Sequence, residues 1–263
     1  NSASLDVLHS AVTTWTMTIL EVLVIGGPHQ SLKDDLLLRL QGLGIPHRGR
    51  ALRGGPQSLA STLRQVSMER EKGTDISFSS VDNINAEILP CALPFAFALG
   101  DPDEDVSNGL LDCVLVTHRN PQVVLAAAYF IGGMRAIFRS QLGIERRRAQ
   151  VHGEGPVDVL EAAMQFHALT LRSWQRRTDD LPGSLSHAEG AAQIVHAEAK
   201  HAETYRDLIP PDGFDGRDAP MRNVAAALIF HGAPQTQISE AFTHLSRRGG
   251  DADILFPLFG AVL

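Results

Sequence analysis

Asn120-Pro121-Gln122-Val123-Val124-Leu125-Ala126-Ala127-Ala128-Tyr129-Phe130-Ile131-Gly132-Gly133-Met134-Arg135-Ala136-Ile137-Phe138-Arg139 is the stretch that decides the fold. Asn120 suits an N-cap, because its side-chain oxygen can accept one of the orphan N–H groups of a first turn. Pro121 suits the first helical position, where the missing N–H costs nothing. The Ala126-Ala127-Ala128 and Gly132-Gly133 steps carry little or no side chain, so neighbouring helices can approach closely. This helix is therefore expected at the centre of the molecule. It pairs with a helix over Asp103 to Thr117, across the junction Thr117-His118-Arg119-Asn120.

Helical periodicity continues outward in both directions. Towards the N-terminus, an apolar helix over residues 10 to 25 ends at Gly26-Gly27-Pro28. Ser31 caps a helix through Leu40, the stretch from Gly42 to Pro56 is a loop, and an amphipathic helix runs from Gln57 to Lys72. The apolar segment Val81 to Leu99 contains Pro90 and Pro94, each lacking a backbone donor. A kink, or a helix beginning near Pro90, is predicted there. Towards the C-terminus, a loop at 143–155 precedes helices over Pro156–Arg176, Ser184–Asp207, Pro220–His231, Pro234–Arg248 and Asp251 to the end. Few runs alternate like strands and none has hairpin chemistry at its ends. About eleven helices with short connections give an all-α fold, a single domain over 1–263, since no linker or repeat divides the chain. Trp15, Leu20, Ile131, Phe138 and Leu228 are its expected core markers.

Composition agrees with one packed domain: 44% hydrophobic and 20% charged residues exclude a largely disordered chain. A formal charge of −7 argues against nucleic-acid and anionic-membrane partners, which need a positive field. The basic run Glu145-Arg146-Arg147-Arg148 is short and reads as a solvated loop, with a phosphate-contact patch as the alternative. Cys91 and Cys113 sit in apolar surroundings without metal-ligand spacing, and read as small buried hydrophobes in a reducing compartment. The chain opens without a signal peptide, and no uninterrupted apolar run approaches the roughly 20 residues of a membrane span. A cytoplasmic location is the expectation.

The sharpest chemical feature is Arg247-Arg248-Gly249-Gly250-Asp251-Ala252-Asp253-Ile254 before an apolar run. Two glycines let the chain turn, and the carboxylates then fall at a helix start. There they can cap N–H groups and face the positive end of the dipole, or hold a hard cation through oxygen. Both readings stay open on spacing alone. His196-Ala197-Glu198-Ala199-Lys200-His201-Ala202-Glu203 has its histidines five apart rather than four, so it reads as a solvated helix face instead of a zinc site. His167 and His231 lie on apolar faces and read as core or groove residues.

The stretch from Ala225-Ala226-Ala227-Leu228 through Ala241-Phe242 to Gly249-Gly250-Asp251-Ala252-Asp253 resembles the C-terminal signature of ADP-ribosylglycohydrolases. In that family an Ala-rich helix leads to Gly-Gly/Asn-Asp-Thr-Asp-Thr/Ser, which supplies carboxylates to a two-magnesium site. The resemblance makes Asp251 and Asp253 metal-ligand and catalytic candidates, with Gly249 and Gly250 beside the substrate. Ala252 and Ile254 replace hydroxyl residues of the family pattern. Leu115-Val116-Thr117-His118-Arg119-Asn120-Pro121 is similar to a family junction, making His118 a substrate-contact candidate; a helix-end histidine is the plainer reading. Asp82-Asn83-Ile84-Asn85-Ala86-Glu87-Ile88-Leu89-Pro90 stands where the family has a loop against the substrate ribose. Only its polar start and proline match, so the contacts there would come from Asp82, Asn83 and Asn85, with Glu87 a further catalytic acid.

The largest departure is near the N-terminus. The family's Thr/Ser-Asp-Asp-Thr, the other half of its metal site, corresponds to Ser10-Ala11-Val12-Thr13, without either carboxylate. The resemblance thus implies a hydrolase of an N-ribosyl bond, in a ribosylated small molecule or an ADP-ribosylated protein, with at most one Mg2+. The alternative is an inactive relative that binds an ADP-ribose-like ligand or a protein partner.

Overall fold

The computed structural model describes residues 11–25, 32–42, 63, 86–99, 101–144, 158–177, 184–209, 219–231, 233–246 and 252–263. These residues contain ten α-helices, two 3₁₀ turns and no strand. In chain order the helices are α1 (Ala11–Ile25), α2 (Leu32–Gly42), α3 (Ile88–Cys91), α4 (Asp103–Val114) and α5 (Pro121–Gln141). Then come α6 (Val159–Arg177), α7 (Leu185–His201), α8 (Ala219–Ile229), α9 (Gln235–Ser246) and α10 (Ala252–Ala261). The 3₁₀ turns are Leu93–Phe97, after α3, and Tyr205–Asp207, after α7.

Asn120 caps α5 as its residue type suggests, its Oδ1 accepting the Gln122 N–H at 2.9 Å. All residues from Pro121 to Ile137 are buried. The helix has the length and apolarity of a membrane span, yet 94% of its apolar window is buried inside the protein, as befits a core helix. Its two glycines explain the packing. A Cβ on Gly132 would meet the Cβ of Phe166 at 2.5 Å and the Cα of Ala163 at 3.0 Å, so α6 lies against backbone there. A Cβ on Gly133 would meet Leu228 Cδ1 at 2.5 Å, which seats α8 on the adjoining face. Helix α7 and the Leu93–Phe97 turn also pack against α5.

Several elements are shorter than the pattern suggests. The Val81–Leu99 segment yields the single turn of α3 and then a 3₁₀ turn, because Pro94 brings no N–H to the carbonyl of Pro90. The helix expected to reach Asp207 stops at His201. Thr204 and Asp207 then form a capping box that starts the next 3₁₀ turn. Similarly, α4 ends at Val114 instead of Thr117. The Gln57–Lys72 helix lies outside the described residues apart from Leu63, which is helical and buried.

Trp15, Ile131 and Leu228 are buried as expected. Leu20 is not: it is 36% exposed, because the inward stripe of α1 is Trp15, Ile19 and Val22 and Leu20 lies about 100° away from it. Phe138 is half-buried, stacked on Phe97 with ring centroids 4.6 Å apart.

Polar groups enter this apolar core at a few places, and the largest of them are paired. Arg135 of α5 is fully buried. Its Nη2 and Nε donate to Asp103 Oδ1 at 2.8 and 3.2 Å, and its other N–H groups reach the carbonyls of Phe95, Ala98 and Asp101. Arg139 donates to the same Asp103 oxygen at 2.8 Å. Burial would raise the Asp103 pKa, but hydrogen bonds from Arg139 and Arg135 outweigh it and hold the carboxyl below the usual range. Tyr129 Oη meets His196 Nδ1 at 2.9 Å, and His196 Nε2 is 4.0 Å from Glu161 Oε2, which also receives Lys200. His196 is therefore a seam residue between α5, α6 and α7, its side chain only 13% exposed, and the solvated-face expectation is corrected for it, whereas Glu198, Lys200, His201 and Glu203 are exposed as expected.

His167 on α6 is different: it is 1% exposed, and among the described residues neither of its ring nitrogens has a hydrogen-bond partner, as is also true of the Trp15 indole nitrogen and the side-chain oxygens of Gln122 and Asn223. Burial, and secondarily the nearby His196, push its pKa from 6.5 down to about 4.

Two outcomes follow for stability. Gly132→Ala should destabilise by about 2 kcal/mol, since the new methyl meets the α6 backbone, despite a helix-propensity gain of about 1 kcal/mol. Gly190→Ala, in α7 with open space around it, should instead stabilise by about 0.5–1 kcal/mol. Urea unfolding of both variants checks the opposite signs. For His167, the folded-state value lies below the ordinary one, so the unfolded chain takes up the proton first as pH falls. Its neutral form is accommodated fully above pH 6.5, and stability is then lost down to about pH 4. The slope should reach at most about 1.4 kcal/mol per pH unit. His167→Phe should flatten that part of a stability–pH profile, and an unchanged slope would show that other groups set it.

Candidate functional site

The residues that suggest chemistry belong to four stretches: the start of α1, the turn entering α3, the junction before α5 and the start of α10. Helix α3 packs against both α1 and α10, and also against α5. Its residues Ile88, Leu89 and Cys91 are 0% exposed. Four residues cannot sustain a helix by backbone bonding alone, so α3 is held by the neighbours that bury it.

The contact between α3 and α1 is specific. The Cys91 thiol lies 3.5 Å from the carbonyl oxygen of Val12 and 3.3 Å from that of Glu87. Thr16 Oγ1 donates to the same Val12 oxygen at 2.8 Å. Burial raises the Cys91 pKa to about 12 against the lowering hydrogen bond of Thr16, with a smaller upward push from nearby Glu87. Cys91 is thus a protonated donor and no thiolate nucleophile at neutral pH. Cys113 is likewise buried, and burial holds its pKa well above the ordinary thiol value. At Val12 the chain therefore presents a backbone oxygen already engaged by two neutral donors.

Glu87 is half-buried at the entrance to α3, where its carbonyl joins this small network. His118 is fully buried, and its Nδ1 lies 2.9 Å from Thr117 Oγ1. The Thr117 hydroxyl has one hydrogen and directs it to the Val114 carbonyl at 3.4 Å. It therefore accepts from His118, which puts the ring proton on Nδ1 and leaves Nε2 an acceptor. His118 thus lies beneath the Thr117–Pro121 junction and supports it from inside the core. Asp82, Asn83, Asn85, Gly249, Gly250 and Asp251 lie outside the described residues. Asp253 falls in the first turn of α10, and its side chain lies outside the description. Among the described residues no group of three or more His, Cys, Asp or Glu side chains could hold a metal ion.

Sequence reasoning missed the thiol bridge, the Arg135–Asp103 pair and the Tyr129–His196 bond. Two of these left a trace: Tyr129 and Arg135 are polar interruptions of an otherwise apolar helix, and a buried hydroxyl or guanidinium demands a partner. Nothing in the sequence pairs Cys91 with Val12, which lie 79 residues apart.

Residues 9–263 match the profile of the family described as ADP-ribosylglycohydrolase, which covers nearly the whole chain and all described helices. No curated protein matches the sequence significantly. No solved structure does so either. The all-α fold and the extent of the profile match together establish that this chain belongs to the ADP-ribosylglycohydrolase family.

Proposed function

We propose that this glycohydrolase-family chain cleaves an N-ribosyl bond, in a ribosylated small metabolite or an ADP-ribosylated protein side chain, at the meeting of α1, α3 and α10. The observation that carries this reading is the seat of α3 between α1 and α10, which links the Glu87 turn to both other elements. In such a cleavage the bond from the anomeric carbon to nitrogen breaks and the nitrogen leaves with a proton. Water adds to the anomeric carbon and loses a proton to a base. The carbon becomes cationic in between, so carboxylates beside it stabilise the transition state. Asp251, Asp253 and Glu87 are the groups assigned to these tasks. Asp82, Asn83, Asn85, Gly249 and Gly250 would line the ribose, with His118 holding the junction beneath.

The donor set suits a single hard cation. Asp251 and Asp253 offer carboxylate oxygens, whereas Val12 offers only a carbonyl already engaged by Thr16 and Cys91. One magnesium ion held by Asp251, Asp253 and waters would polarise the attacking water and orient ribose hydroxyls. A cytoplasmic setting without nucleic-acid or membrane partners suits the charge of −7 and the two buried free cysteines.

A second reading, an inactive relative that binds an ADP-ribose-like ligand or a protein, is favoured by that same uncharged environment at Val12.

Asp253→Asn keeps shape and removes charge. Loss of one transition-state interaction of roughly 3 kcal/mol corresponds to about a hundredfold in rate. Asp253→Asn and Asp251→Asn should each fold normally and lose at least that much turnover. The measurement is release of ribose or ADP-ribose from a panel of protein-linked and small-molecule ribosides, with and without magnesium. Activity that survives both substitutions places the chemistry elsewhere. Wild-type protein that binds ADP-ribose and cleaves nothing selects the second reading.

A further inference from the structure

A groove of about 330 Å³ opens between the Tyr205–Asp207 turn and the connection from α8 to α9. Its size falls within the usual range of small-ligand pockets. It is not the site discussed above. His231, on its wall, bonds through Nδ1 to the carbonyl of Val262 at 2.8 Å, just beyond the end of α10. The ten residues of α10 put that end about 15 Å from the start of the helix, where Asp253 falls.

The chemistry of the groove follows from which polar groups are already engaged. Arg206 donates to Glu240 at 2.6 Å and to Tyr205 Oη at 3.3 Å, so its charge is neutralised within the wall. The Thr204 N–H and hydroxyl are held by Asp207. A carbonyl can only accept, so the Val262 contact fixes the His231 proton on Nδ1 and makes Nε2 an acceptor. Glu203 has no hydrogen-bond or ion-pair partner among the described residues, and neither has the Gln237 side-chain amide. The groups left for a ligand are therefore a carboxylate, an imidazole acceptor and an amide. Among the described residues that line the groove, no cation is left unengaged to receive an anion. Beside them, Ile229, Ala233 and Pro234 give an apolar wall. Tyr205, Phe230 and Phe259, with ring centroids 5.1–5.5 Å apart, form a packed base that cannot collapse into the space.

We infer that this groove binds a small organic cation, an amidine, guanidine or primary amine carried on a short apolar body. The charged head pairs with Glu203 and donates to His231 Nε2, and the body lies on Ala233 and Pro234.

Benzamidine serves as the probe and benzamide as its uncharged counterpart, each titrated into the full chain by isothermal calorimetry and followed by amide chemical-shift changes. The expected result is saturable benzamidine binding, with shifts at residues 203–206 and 229–237. Benzamide and the Glu203→Gln variant should each bind at least about tenfold more weakly. Ala233→Phe, which fills the groove without touching the charge, should abolish binding, whereas Asp253→Asn should leave it unchanged. The inference is overturned by absence of saturable binding up to about 10 mM, by equal affinity for benzamide, or by full affinity in Glu203→Gln.

Discussion

The close approach of helices at Gly132 and Gly133 is the constraint on which the rest of the structure depends. Two adjacent residues on a helix point about 100° apart, so two missing side chains admit two neighbours, α6 through Ala163 and Phe166 and α8 through Leu228. Both neighbours can then bury long apolar faces on α5. The contacts differ in rigidity. At Gly133 the obstacle to a side chain would be the end of Leu228, which can rotate. At Gly132 it includes the backbone of α6, which can move only as a helix.

A helix buried from Pro121 to Ile137 must find partners for most of the polar atoms it carries, although the Gln122 Oε1 has none among the described residues. Arg135 does so by binding Asp103 and three carbonyls of the 95–101 segment, which fixes the chain just after α3. Tyr129 does so by binding His196, which fixes α7. Placement of the candidate site is thus indirect. The core helix holds the segment after α3, and α3 in turn meets α1 and α10. Breaking the Arg135–Asp103 pair would disturb the fold first and the site by consequence, because a buried guanidinium without its carboxylate is far costlier than no ion pair at all.

On the proposed reading, the site is a family arrangement with one side neutralised. Where the resemblance expects carboxylates, Val12 contributes a backbone oxygen that receives a hydroxyl and a thiol. Those neutral hydrogen bonds suit a buried, low-dielectric position, and they would not offset the cost of desolvating a dication. On the same reading the remaining charge comes from Glu87, Asp251 and Asp253. The groove at the other end of α10 has a different chemistry, since its one guanidinium is already neutralised by Glu240.

How much of this was legible beforehand depends on how local the cause is. The all-α class, the N-cap at Asn120, the break in the proline-containing 88–97 segment and the central place of α5 follow from propensity, missing donors and missing side chains, all written within a few residues. The Gly-Gly-Asp-x-Asp pattern and the absent carboxylates at Ala11 and Val12 are features of the sequence alone. The exposure of Leu20 was not, because a uniformly apolar helix such as α1 does not say which stripe faces inward until its neighbours α2 and α3 are in place. His196 looked like part of a charged outer face, and only the arrival of Tyr129 from another helix made it a seam residue. The pairing of Cys91 with Val12, the unpartnered burial of His167 and the groove beside Tyr205 were likewise decided by tertiary structure. Each depends on groups brought together across tens of residues, and sequence encodes such encounters only through the packing of the whole chain.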